Sequence, residues 1–242
     1  MIEITDLHKS FGQKKVLCGV DFTINKGETV VIIGQSGCGK SVLIKHIVGL
    51  LTPDYGKVVV EGKIVHELSI KDLYNLRKKF GFLFQGAALF DSMTVEENVS
   101  LPLIESMNFS KQEIRKIVEE KLELVGLKGI LNLKPAELSG GMKKRVGLAR
   151  ALVTNPSYIL YDEPTTGLDP IMSDSIDLLI KDLSDKLKVT SVVVTHDMYS
   201  VKNVADKVAM MHQGKIYFNG STEELITSED KVISDFVRRT QI

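Results

Sequence analysis

Val30-Val31-Ile32-Ile33-Gly34-Gln35-Ser36-Gly37-Cys38-Gly39-Lys40-Ser41-Val42-Leu43-Ile44-Lys45-His46-Ile47-Val48 decides the fold. Its first four residues form the apolar run of a fully buried strand, and its last seven have the apolar spacing of a helix. Between them G-x-x-x-x-G-K-S stands in the strand, turn, helix context that this motif needs. The glycines Gly34, Gly37 and Gly39 let the backbone wrap tightly, so that successive N–H groups, with Gln35, Ser36 and Cys38 between them, converge on phosphate oxygens. The helix N-terminus adds its partial positive charge at the same place. Lys40 can reach the β and γ phosphates of a nucleoside triphosphate, and the Ser41 hydroxyl can take one position on Mg²⁺. Cys38 lies beside Lys40 and a helix N-terminus. Both features favour a thiolate and predict a lowered pKa, with ready alkylation in the empty site.

Outward from this loop, 242 residues are enough to bury a sizeable core, in one domain or a domain with a subdomain. Basic and acidic side chains balance at 31 each, so no basic excess points to a nucleic-acid partner. No stretch approaches 18 uninterrupted apolar residues, which excludes a transmembrane helix. The N-terminus alternates like a strand and lacks a signal peptide's regions. Two cysteines, Cys18 and Cys38, make no disulfide framework, and the chain reads as cytosolic and reduced. Short strands are expected at Met1–Leu7, Val16–Ile24, Glu28–Ile33, Lys57–Val60 and Phe80–Phe84. A helix is expected over Thr94–Ser106, and a second to about Val125 behind the capping box of Ser110 and Glu113. Strand and helix alternate again from Ser157. The pattern is an α/β core with a β-rich N-terminal part and an inserted helical subdomain at roughly 86–155.

Tyr158-Ile159-Leu160-Tyr161-Asp162-Glu163 is a buried-type strand ending in two carboxylates, at the edge where open parallel sheets collect ligands. Asp162 is placed to hold Mg²⁺ and Glu163 to act as general base toward water. Strand alternation would point the two to different partners. Ser191–Thr195 is a second such strand, with His196 at its end; a neutral imidazole there can contact the γ-phosphate and orient water. Gln85 follows the apolar strand Gly81–Phe84, and its amide oxygen can approach water and Mg²⁺. An ordinary turn residue has the same spacing. Leu138-Ser139-Gly140-Gly141-Met142 opens a helix from Lys143 to about Thr154, with Ser139 as N-cap. It is a second anion-binding helix terminus. Lys143, Lys144 and Arg145 read as a solvated face.

Together these pieces resemble the ATP-binding-cassette (ABC) ATPase family across essentially the whole chain, which implies a single P-loop NTPase cassette over 1–242. Its RecA-like core would carry an N-terminal antiparallel β subdomain and the helical insertion. The resemblance implies that Phe11 stacks on adenine. It also implies that Ser139, Gly140 and Gly141 bind the γ-phosphate of ATP held by a second copy, with Asp169 of Thr166-Gly167-Leu168-Asp169 at the dimer seam. Two phosphate-binding helix starts in one chain suit such a two-fold clamp. Met142, where most members carry Gln, and Phe84–Val99 are similar to the ATPases of Mce/Mla-type phospholipid (toluene-tolerance) transporters. That likeness implies a partner permease, an Mce-domain lipid-binding protein, an accessory subunit, and a peripheral place on the cytoplasmic face of the inner membrane.

Other readings remain open at this level: the ATPase of another importer or exporter, a soluble ABC ATPase acting on ribosomes or DNA, and a P-loop kinase. The ribosomal class often carries two cassettes or a coiled-coil insertion, neither of which is visible here. A kinase leaves 138–142 and His196 unexplained. Leu89, Phe90 and Met93 are apolar in a loop context. They belong either to a groove for the permease or to the packing of the helical subdomain.

Overall fold

The computed structural model describes residues 1–106 and 109–240. Its first part runs β1 (Ile2–Phe11), β2 (Lys14–Ile24), β3 (Thr29–Ile33), α1 (Lys40–Ile47), β4 (Tyr55–Val60), β5 (Lys63–Ile64), α2 (Ile70–Arg77) and β6 (Phe80–Leu83). Three helices follow, α3 (Val95–Ser106), α4 (Lys111–Leu124) and α5 (Gly140–Leu152). The last part runs β7 (Tyr158–Asp162), α6 (Pro170–Leu187), β8 (Thr190–Val194), α7 (Met198–Val204), β9 (Lys207–His212), β10 (Lys215–Gly220), α8 (Thr222–Ile226) and α9 (Lys231–Thr240).

Two sheets form. An antiparallel one has the order β2-β1-β4-β5, and a six-stranded one has the order β10-β9-β3-β8-β7-β6. In the larger sheet all neighbours pair parallel except the β10–β9 edge. Parallel strands covered on both faces favour apolar side chains, and β3, β7 and β8 are buried throughout, with Thr29, Asp162, Thr190 and Ser191 as polar positions at their ends. Their period of two divides the core. Val30, Ile32, Leu160 and Val192 meet the antiparallel sheet and α1, while Val31, Ile33, Ile159 and Val193 join the cluster of the later helices. Each fully buried side chain of this size contributes roughly 1.5–3 kcal/mol.

The helices start where the chain supplies caps. Ser110 and Glu113 form the expected reciprocal box, Ser139 Oγ accepts from Met142 N at 3.3 Å, and Asp169 Oδ1 accepts from Met172 N at 3.0 Å with Pro170 at the first helical position. The helix α2 lies where the sequence reading placed no element. Ile70, Leu73 and Tyr74 have helical spacing and Ser69 caps the helix, but the element is short and only Leu76 of it is buried. The chain order puts the C-terminal ends of β3, β6, β7 and β8 at one edge of the parallel sheet. The phosphate loop, Gln85, Glu163 and His196 all follow from that edge.

Candidate nucleotide site

A cleft of about 540 Å³ opens at this edge, lined by Phe11, Ser36, Lys40, Ser41, Gln85, Glu163, Thr166 and His196 among others. Gly34 leaves β3 with φ 153°, and a Cβ there would lie 2.5 Å from the Met211 carbonyl, so only glycine fits the exit. Lys40 is 5% exposed and its Nζ donates to the Gly34 carbonyl at 2.8 Å, holding the ammonium inside the loop. The Ser41 hydroxyl donates to Asp162 Oδ1 at 2.6 Å. Hard oxygen donors thus meet beside the loop, with Gln85 on the same cleft. This donor set suits Mg²⁺, which keeps several waters and takes few protein ligands.

Glu163 is the convergence point. One carboxylate oxygen lies 2.8 Å from His196 Nδ1 and accepts from Thr166 Oγ1 at 3.1 Å; the other lies 3.5 Å from Lys40 Nζ. The expected divergence of Asp162 and Glu163 is real, but its cause differs from strand alternation. The strand ends at Asp162, and Glu163 takes a left-handed backbone with φ 50°, its N–H donating to Val194 O at 2.8 Å. A non-glycine residue held there stores about 1–2 kcal/mol of strain.

Two expectations are corrected. The Cys38 thiol pKa is raised, because burial outweighs the opposing charge of Lys40. The run 143–145 is no solvated face. Lys144 is 5% exposed, and its Nζ donates to the carbonyl of Gln85 and, at 3.2 Å, to that of Glu163. Arg145 donates to the Val125 carbonyl and to Ser175 Oγ at 2.8 Å. Burial lowers the Lys144 pKa, and the carboxylates of Glu163 and Asp162 act against that shift. Sequence reasoning missed Lys144, Thr166 and Arg150. For Lys144 a signal existed, since it shares a helical face with the buried Leu148 and Ala151.

Phe11, half-exposed at the end of β1, flanks the cleft with Lys14 and Val16. Ser139, Gly140, Gly141 and Asp169 do not line it. They sit together elsewhere, where Gly140 packs on Leu168 and Gly141 faces the Met172 side chain. Leu89 packs against the helical core, Met93 is half-buried and Phe90 is exposed.

A phosphate loop at the carboxyl edge of a parallel sheet, with a lysine, a serine–aspartate pair and a poised glutamate, defines a P-loop nucleoside triphosphatase. The chain belongs to the ABC transporter family, whose profile matches residues 17–166. It is an ABC-type ATPase of the transport class. It is 43% identical, over all of its length and 67% of the relative, to the "Probable ribonucleotide transport ATP-binding protein mkl" of Mycobacterium tuberculosis. To the "Intermembrane phospholipid transport system ATP-binding protein MlaF" of Haemophilus influenzae it is 39% identical, over 98% of this chain and 90% of the relative. Among solved structures it is similar to a dimeric ATP-binding cassette in a post-hydrolysis state bound to ADP and Pi. That likeness has TM-score 0.84 and 34% identity, and covers 92% of this chain and 99% of the other. The antiparallel sheet, parallel core and helical elements are those of such cassettes, as the sequence led one to expect.

Proposed function

We propose that this chain is the ATPase subunit of a transporter that moves phospholipid, or a related hydrophobic substrate, through an Mce-linked permease. Hydrolysis rests on one observation above the rest: Lys40, His196 and Thr166 converge on the Glu163 carboxylate inside the cleft. ATP lies with its adenine on Phe11 and its phosphates in loop 34–41, where Lys40 neutralises the β and γ oxygens. Mg²⁺, held by Ser41, Asp162 and Gln85, supplies further charge neutralisation when bound. Glu163 takes a proton from water, the water oxygen bonds to the γ-phosphorus, and the bond to the ADP oxygen breaks. His196 holds that carboxylate in place and faces the γ-phosphate. A second copy completes the site with Ser139, Gly140 and Gly141, and Asp169 lies at the seam.

The lipid reading is supported by the similarity to MlaF over nearly all of that protein, and by Met142 with the 84–99 segment. Among described residues no helix is long and apolar enough to cross a membrane. The proposed place is the permease's cytoplasmic side at the inner membrane. A second reading, amino-acid import, draws on 42% identity over the whole chain to the "Methionine import ATP-binding protein MetN" of Clostridioides difficile. Reconstitution with the partner permease decides between them. ATP-dependent transfer of labelled phospholipid between vesicles supports the first reading, and ATP-dependent methionine uptake without lipid transfer replaces it.

A further inference from the structure

The helix α5 begins with the Ser139–Gly141 turn, yet five residues after Ser139 it also grips the cleft of its own chain. Lys144 Nζ spans two main-chain carbonyls, that of Gln85 and that of Glu163 at 3.2 Å. Two turns further on, Arg150 donates to the Ala87 and Ala88 carbonyls at 2.6 and 2.7 Å. Between them Gly147 lets the loop lie against the helix, since a Cβ there would stand 2.9 Å from Leu83 Cδ1 and 3.1 Å from Ala87 Cβ. The loop so gripped is strained. Ala87 and Ala88 have φ 59° and 48°, and Glu163 has φ 50°, all in the left-handed region that L-residues avoid. Three unfavourable backbone conformations therefore lie next to one helix face, and the donors on that face hold the carbonyls of those same residues or, at Gln85, of the residue just before the loop.

We propose that Lys144 is a positioning residue for hydrolysis: its ammonium ties the Gln85 and Glu163 main chains to α5, so that the helix carrying the Ser139–Gly141 turn sets the pose of the Glu163 carboxylate. Lys144 does not line the cleft, and its ammonium is turned to main-chain carbonyls. It acts through backbone: its removal takes the ammonium from the Gln85 carbonyl and leaves that of Glu163 with the Thr166 N–H at 3.3 Å, so that Glu163 can relax from its left-handed conformation. A misplacement of about 1 Å at a reacting group lowers rate on the order of 100-fold. Binding of ATP, held by the phosphate loop, is spared. This inference rests on the reading of Glu163 as general base.

The test uses the full chain with Mg-ATP, reading kcat, ATP Kd by calorimetry, and melting temperature, in Lys144→Met, Lys144→Arg, Glu163→Gln and the Lys144→Met/Glu163→Gln pair. Expected is a fall in kcat of about 10–100-fold for Lys144→Met, with Kd within a factor of about three, and recovery of at least half of wild-type kcat in Lys144→Arg. In single turnovers with enzyme in excess, Lys144→Met should add no further loss to Glu163→Gln, because there is no base left to position. If Lys144→Met does not fold, Lys144→Gln, with one amide donor, carries the same comparison. Unchanged kcat in the folded variant overturns the proposal. So does a loss confined to Kd, or an equal fold-loss with and without Glu163. Normal turnover in Glu163→Gln alone would instead overturn the base assignment and leave the two failures separate.

Discussion

Single residues carry the chemistry here through their surroundings. Lys40 is a buried ammonium satisfied by the Gly34 carbonyl and close to Glu163. In Lys40→Ala the phosphates lose a charge-assisted partner worth roughly 1.5–3 kcal/mol, and ATP affinity should fall about 10- to 100-fold by calorimetry. Unchanged affinity would show that the phosphates lie elsewhere. Cys38 makes the opposite point. Next to Lys40 it reads as an activated thiolate, but burial dominates and its pKa lies above the ordinary thiol value. Its alkylation by maleimide at pH 7 should therefore be slower than that of free cysteine, should rise as pH climbs past 9, and should be suppressed by Mg-ATP. Mass spectrometry of the modified peptide reads all three. Reaction at pH 7 faster than free cysteine would restore the thiolate reading. Residue types and their order made Lys40, Ser41, Asp162, Glu163 and His196 legible in the chain. The left-handed turn at Glu163 was not, because no glycine marks it and only the packing of β7 beside β8 imposes it.

At the scale of elements, the capped helices and largely apolar strands were readable because their signals are local. Ser110 with Glu113, and Ser139 ahead of its helix, are short-range patterns, and β3, β7 and β8 contain the apolar runs 30–33, 158–161 and 192–194. What failed was longer in range. The buried face of α5 includes a lysine, which composition alone assigns to solvent, and α2 is a short helix with only Leu76 buried. A further buried charge lies between α6 and α7. Asp177 is fully buried on α6, and among the described residues neither of its oxygens has a hydrogen-bond partner. Burial pushes its pKa up to about 7, the nearby Ser200 hydroxyl of α7 offsets part of that rise, and Asp197 and Asp174 add to it. A carboxyl whose folded pKa is raised keeps its full stabilising contribution below the unfolded value near pH 4 and loses it as pH rises through 7. At about 1.4 kcal/mol per pKa unit the loss amounts to a few kcal/mol. Asp177→Asn should therefore gain in melting temperature relative to wild type at pH 8 and gain less, or nothing, at pH 5. A difference independent of pH would show that Asp177 is not protonated in the folded protein.

For the whole molecule, we infer that one chain holds two halves of a site that it cannot join. Ser36, Lys40, Ser41, Glu163 and His196 share a cleft, with Asp162 bonded to Ser41, while Ser139–Gly141 cap a different surface beside Leu168 and Met172. The similar solved cassette is a dimer, with ADP and Pi bound. A second copy brought head to tail would place its Ser139 helix start against the γ-phosphate in this cleft, with the helix N-terminus stabilising the anion. Hydrolysis would then remove the charge that both copies share, and the dimer would loosen. Glu163→Gln should slow turnover about 10²–10⁴-fold, the size of a general-base effect, and so hold the ATP-bound state long enough to observe. Sedimentation velocity of the Glu163→Gln chain, with and without saturating Mg-ATP, tests this most directly. A monomer is expected without nucleotide, a dimer with ATP, and a monomer again when Ser139→Arg is added. A Glu163→Gln chain that binds ATP yet sediments as a monomer, or one whose ATP dimer survives Ser139→Arg, would contradict the shared site.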